Sequence, residues 1–426
     1  MTDLRDDPSP TLPRRRSLWT YRGVRPLIGA TAISNVGTEI SGVAIPIMAI
    51  VVLQASNTWV AMLEVALYVG MLLFTLPIGL VADRFDRKKL MIGADLFCMA
   101  AVASAPILWA VGHLTIALLL LVVVAVGVFS TVHDVCSETV VPDVVDDDAL
   151  ATCNGAINTS RSVSEVAGPG AGGLIVSGVG AVAGLVVDAV SFLVSALLLT
   201  RVPVKTRPRA PAPRPTVRQT CRDVADGFGV YRSDRRLLRL LAVSTTSNFF
   251  STMAGTVEVL FLVRELHVRP WGVGAAFALT AVGGVVGGLL LSPLLRLVGP
   301  VRIIVVSQLA LSAPILLLPL ATEGWGVSFY LIGWFFYSLS SVIYVSAVVT
   351  YRQRTAPREL LGRAGATSRW FGGIAAALGA VAAAGMLSVW DISTAVLISS
   401  VGIYASGVWL CSRVFFSDSA LHTSTN

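Results

Sequence analysis

"HLTIALLLLVVVAVGVFSTVHDVCS", residues 113–137, carries no Lys, Arg, Asp or Glu before Asp134. About 20 such residues, rising 1.5 Å each as a helix, cross the roughly 30 Å hydrocarbon core of a bilayer. In lipid each backbone polar group has to be paired inside the segment or inside a closed barrel. A continuous apolar run therefore reads as a helix, since barrel strands would be about ten residues long and alternate in polarity. Eleven further runs share this character, giving predicted spans at 25–53, 59–82, 89–111, 113–137, 151–178, 180–201, 236–263, 271–297, 299–321, 325–350, 361–388 and 391–414. The whole chain agrees: 426 residues, 55% hydrophobic, 13% charged, with mean hydropathy +0.77, outside the range of an ordinary soluble domain.

Positively charged short loops stay cytoplasmic, so Lys and Arg set the orientation. Arg14, Arg15, Arg16, Arg22 and Arg25 precede or open the first span, and Arg84, Arg87, Lys88 and Lys89 follow the second. Eleven basic residues lie between Arg201 and Arg239, and Arg352, Arg354, Arg358 and Arg363 follow the tenth span. Alternate threading of twelve spans puts all of these on one side, with both termini inside. Trp59, Trp109, Trp271, Trp325 and Trp390 fall at the predicted outer ends, as an interfacial aromatic belt requires. The first run is too long for a signal-peptide core and reads as a retained span.

Several function classes fall away. The net charge of +7 is accounted for by loops that flank spans, so no nucleic-acid partner is expected. The five Cys, at 98, 136, 153, 221 and 411, contain no C-x-x-C and do not read as a disulfide framework. "HDVC", residues 133–136, brings His133, Asp134 and Cys136 together, but a metal needs three or four converging ligands, so no metal is expected. No nucleophile–base set or phosphate loop is visible, so the chain does not read as an enzyme.

The Pro- and Arg-rich stretch 201–228 cannot span a membrane and reads as a linker. The expected organisation is a cytoplasmic tail 1–24, a six-helix bundle 25–201, a cytoplasmic linker 202–235, a second six-helix bundle 236–414 and a cytoplasmic tail 415–426. Short matches recur across the linker. Ser34-Asn35 returns as Ser247-Asn248, an offset of 213 residues, and Thr159 to Arg161 returns as Thr367 to Arg369, an offset of 208. Both matches join spans that correspond if the halves are parallel repeats, an architecture that puts a substrate site near the midplane between the halves. The fold class expected is an all-α polytopic membrane protein of twelve transmembrane helices in two six-helix parallel repeats.

Two motifs carry a resemblance. "GLVADRFDRKK", residues 79–89, resembles the loop motif G-x-L-x-D-R-x-G-R-(K/R) of the major facilitator superfamily, with Gly79, Asp83, Arg84, Arg87 and Lys88 in matching places. Asp86 stands where the family usually has a second Gly. The implied role is a cytoplasmic latch that stabilises the outward-facing state; a basic loop that only sets topology is the plainer reading. "GPGAGG", Gly168 to Gly173, resembles the fifth-span motif G-P-x-x-G-G of proton-driven drug antiporters in that superfamily. Small residues let helices approach, and Pro169 removes a backbone donor and kinks the helix. The motif residues are Gly168, Pro169, Gly172 and Gly173.

The stretches 141–173, 188–199 and 351–370 look like the subgroup that includes macrolide and siderophore exporters. The resemblance implies a monomeric exporter of a small organic compound in the bacterial cytoplasmic membrane. It would have lipid and protons as partners, and a proton gradient rather than a cofactor as its energy source.

An ionisable side chain near the bilayer centre costs about 2.5–3.5 kcal/mol or more, so each should face a cavity or a partner. Glu39 lies midway along the first span with Asn35 one turn before it, and ranks first for proton coupling or recognition of a cationic substrate. Arg161 and Glu165, four apart, can pair along one helical face as a structural salt bridge, or serve as a switch in which protonating Glu165 releases Arg161. Asn248, Glu258 and Asp188 are further candidates, with helix–helix hydrogen bonding the plainer reading for Asp188. Asp95, Asp134 and Glu138 are placed to meet Arg84, Arg87, Arg352 or Arg354 as gate ion pairs. Trp334, Phe335, Phe336, Tyr337 and Trp370 would line a greasy pocket or face lipid. A facilitator or importer of the same fold, and a transport-inactive receptor, remain as alternatives to export.

Overall fold

A computed structural model describes residues 18–68, 85–146, 149–203, 227–357 and 360–410. Twelve membrane-type helices follow one another: α1 Val24–Ile47, α2 57–68, α3 Arg87–Ala110, α4 Ile116–Val144, α5 Leu150–Val179 and α6 Ala181–Thr200, then α7 Arg235–Leu260, α8 Pro270–Val298, α9 Pro300–Val306, α10 Val327–Thr355, α11 Leu361–Met386 and α12 Ile392–Ala405. The turn of α9 changes after Val306 and the helix runs on to Leu320 in π and 3₁₀ form. The face that holds Val24, Thr200 and Arg235 is called proximal here and the opposite face distal. Trp59, Trp109, Trp271, Trp325 and Trp390 are all exposed at the distal helix ends.

Among the described residues nine helical stretches are long and apolar enough to cross a membrane. The other three helices are α2, described only over 57–68, and α5 and α7, which carry polar residues such as Asn154, Arg161 and Glu165, or Ser247, Asn248 and Glu258. These three flank the central cavity described below. Of these polar residues Glu258 faces that cavity rather than lipid, and Arg161 and Asn248 are met by neighbouring helices.

Each half packs alike. In the first, α1 lies against α5 and α6; in the second, α7 lies against α11 and α12. The halves meet along α5 and α8. The 213-residue offset goes beyond the Ser-Asn match. α1 ends in a π turn at Met48–Val52 and α7 in one at Phe261–Glu265, each followed by a left-handed residue, Gln54 (φ 48°) and His267 (φ 50°). The amide of Leu53 donates to the Met48 carbonyl and that of Ala55 to Ala49; Leu266 to Phe261 and Val268 to Leu262 repeat this at the same offset. Two chain segments that build the same irregular ending are structural repeats.

Asp86, which departs from the family's Gly, caps α3: its carboxylate accepts the Lys89 amide at 3.2 Å, supplying one of the pairs a helix start lacks. Asp86→Ala is expected to cost about 1 kcal/mol. It should lower the thermal midpoint of the detergent-purified chain while leaving transport near the wild-type rate.

Candidate functional site: an acidic cavity between the halves

A cavity of about 330 Å³ lies between the halves, walled by α1, α2, α5, α7 and α8. Its lining follows the repeat. Gly42 and Gly255, Val43 and Thr256, Pro46 and Val259, Glu39 and Thr252, and Glu64 and Phe277 all line it, each pair 213 positions apart. The cavity therefore sits on the pseudo-symmetry axis, but its charge is asymmetric. Glu39 and Glu64 come from the first half and Glu258 from the second, and no Lys, Arg or His is among the described lining residues.

Glu39 stands where α5 crosses α1. A Cβ on Gly168 would strike the Glu39 side chain, and one on Gly172 would come within 3.0 Å of the Ile40 backbone, so both glycines permit the close crossing. Pro169 lines the cavity beside them. Glu39 is within electrostatic reach of Glu165 and Glu64. Glu258 is buried just before the π turn of α7, where the Tyr330 hydroxyl donates to it, and it too is in reach of Glu64. Tyr68 of α2 and Thr252 of α7 line the cavity from opposite halves. Glu64 was passed over in the sequence, although the rule that singled out Glu39, an acid well inside an apolar span, applies to it equally.

Above the cavity the distal end is shut. Gly173 of α5 and Gly274 of α8 approach so closely that a Cβ on either would meet the other's backbone. Arg264 of the second half donates to the Asn57 side chain and the Ala55 carbonyl of the first, and the Thr58 hydroxyl lies 3.5 Å from the Leu387 carbonyl. On the proximal side of Glu39, Glu165 is exposed.

The other sequence candidates described below lie off the cavity wall, and Asp188 makes the helix–helix hydrogen bonds read for it. Arg161 does not close a pair with Glu165; its Nη2 lies 2.6 Å from Asp134 Oδ1 on α4, a partner supplied by the neighbouring helix. Among the described residues neither Asp134 nor Asp95 meets a loop arginine, and Asp95 is fully buried against His133 Nδ1 at 2.7 Å. Asp188 holds α6 to α1, taking the Ser41 hydroxyl at 2.5 Å and that of Ser191 at 3.2 Å. Asn248 donates to the Gly372 carbonyl at 3.3 Å, whereas the buried amide nitrogen of Asn35 has no hydrogen-bond partner among the described residues.

Arg87 binds the Thr139 carbonyl at 2.8 Å and lies 3.6 Å from Asp143, within its own half, and Lys88 binds the carbonyls of Thr200 and Val202 at 2.9 and 2.7 Å. Gly79, Asp83 and Arg84 lie outside the described residues, as does the side chain of Glu138. Trp334, Phe335, Phe336, Tyr337 and Trp370 pack as edge-on aromatic pairs, and none lines the cavity, whose one aromatic ring besides Tyr68 is Phe277. Among the described residues no three His, Cys, Asp or Glu side chains are grouped to hold a metal ion.

The family model described as Major Facilitator Superfamily matches residues 27–380. The chain belongs to this family. Membership in the Major Facilitator Superfamily makes it a multi-pass membrane transporter rather than an enzyme. Macrolide efflux protein A of Enterococcus faecalis is 27% identical over 216 residues, 50% of this chain and 66% of that protein. The Streptococcus pyogenes protein of the same name is 27% identical over 250 residues, covering 57% and 61%. Multidrug efflux pump Tap of Mycobacterium tuberculosis is 25% identical over 279 residues, covering 62% and 63%. The chain thus spans less than two thirds of these relatives' length.

The fold is shared with a crystal structure of the nucleoside transporter NupG (TM-score 0.68, 12% identity, 92% of this chain and 99% of that one). It is also shared with a bacterial homologue of the iron transporter ferroportin in an inward-facing state (TM-score 0.69, 17% identity, 94% and 100%).

Proposed function

We propose that this chain exports a small organic cation across the bacterial cytoplasmic membrane in exchange for protons, by alternating access, as a monomer. The observation that carries the reading is the cavity: three carboxylates and hydroxyl groups, with no basic residue among the described lining residues, in a volume at the lower end of ligand pockets. Such walls attract a protonated amine or a proton and repel an anion. Protons and substrate that share the same carboxylates compete for them, which is the condition for exchange. Macrolide- or siderophore-like compounds enter this reading where they carry a basic amine. The efflux activities named for the relatives support the outward direction. The concentration of Arg and Lys at the proximal face, including Arg87, Lys88, Arg201, Arg235 and Arg236, supports a cytoplasmic proximal side.

In inside-out vesicles holding the full chain, an acid-inside gradient should drive accumulation of ethidium and leave fluorescein, an anion of similar size, outside. Accumulation of fluorescein instead, or ethidium uptake that survives collapse of the gradient, would refute the reading.

A further inference from the structure

We infer that Glu64 and Glu258 act as a proton-dependent clasp between the halves: while at least one of them holds a proton the distal end stays shut, and loss of that proton drives it open. This rests on the alternating-access reading above. Glu64 belongs to α2 of the first half and Glu258 to α7 of the second, and both line one cavity directly beneath the distal closure. They are within electrostatic reach of each other. Glu258 is only 9% exposed, and one of its oxygens already accepts the Tyr330 hydroxyl.

Among the described residues, the groups around the pair include no counter-ion. α1 contributes Glu39, α2 Tyr68 and α10 Tyr330, while α5 and α8 present uncharged Pro169 and Phe277 to the cavity. No titratable side chain of α11 or α12 is among the lining residues. Arg264, six residues beyond Glu258, is engaged by Asn57 and Ala55. Two ionised carboxylates from opposite halves in one cavity repel each other, and no cation among the described lining residues offsets it. A proton on either one removes that repulsion and lets the two halves stay together at this level. The O–H bond that breaks when the clasp opens returns its proton to water; when the distal end is open, both groups regain access to distal protons. The clasp thus ties the shut distal end, seen here, to the protonated state. Arg264 joins the same two halves through groups that do not titrate near neutrality, so it contributes no such dependence.

The test uses spin labels on the full chain with its five native cysteines replaced, attached at His113→Cys and Val389→Cys, two exposed distal positions in opposite halves. Electron–electron distances are measured in lipid nanodiscs at about pH 5 and about pH 9. The expected result is a short distance at low pH and a longer one at high pH. The ratio of shut to open forms should fall tenfold or more, the change that one unit of difference in proton affinity between the two forms brings. Glu64→Gln and Glu258→Gln, neutral at both pH values, should stay short throughout, and Glu258→Asp should restore the response. A wild-type distance that does not move with pH, or a full response in both Gln variants, would overturn the clasp. The measurement needs neither substrate nor gradient. A chain that fails the dye assay but shows this pH response loses the exporter reading and keeps the clasp, and the converse holds as well.

Discussion

Replacing Glu39 by Gln should reduce gradient-driven efflux of an organic cation about thirtyfold or more while the purified chain melts no lower than wild type. Gln has nearly the same shape, so the contact of Gly168 with the Glu39 stem survives and α5 still crosses α1 closely. What is lost is a carboxylate that exchanges a proton and attracts a cation. Removing one partner of a buried charge pair costs about 2–5 kcal/mol, and each 1.4 kcal/mol is a factor of ten, so about thirtyfold is the low end. Stability should not suffer, because an amide is cheaper to bury than an ionised carboxylate.

The pH dependence has a definite sign. Protons and cations compete for the carboxylates, so cation affinity rises with pH in the wild type, and the rise should be shallower in Glu39→Gln, which has one competing site fewer. Isothermal titration of ethidium into nanodisc-held protein, together with vesicle efflux, measures both. Efflux within twofold of wild type would place the cation elsewhere.

Much of this arrangement follows from local rules. Hydropathy marks the helices because lipid admits no other continuous apolar element. The Ser34-Asn35 and Ser247-Asn248 match locates the axis of the whole cavity, since the 213-residue offset that relates them also relates Glu39 to Thr252 and Glu64 to Phe277. The Gly-Pro motif locates the crossing of α5 on α1. What the sequence hides are choices between helices. Arg161 has a local candidate four residues on, and the i,i+4 rule points there, yet Asp134 on α4 takes it. The pairing of Asp95 with His133 likewise depends on how α3 lies on α4. The composition of a helix shows that a charge must be compensated; it does not say which neighbour does so.

The same limit applies to Gly173, whose partner Gly274 lies in a span of the other half, and here the consequence is large. At this contact the two backbones touch, so a side chain on either residue has no flexible neighbour to push aside. Gly173→Val and Gly274→Val should each prevent distal closure and hold the chain distal-open. Because alternating access requires both ends to close in turn, efflux should fall to the level of empty vesicles. Each half should still fold, since the contact lies between the halves, and the labels at positions 113 and 389 should report the long distance even at about pH 5.

Gly170→Ala provides the comparison. It lies three residues away on α5, but its new methyl would meet the Ala278 methyl at 3.1 Å, a contact relieved by a shift of a few tenths of an ångström, and a loss of no more than a few-fold is expected. If Gly173→Val exported normally, the close approach of α5 and α8 would not be a step of the transport cycle. A graded series of Ala, Ser and Val at position 173, with the open fraction rising with side-chain volume, would establish that this one contact sets how tightly the distal end can shut.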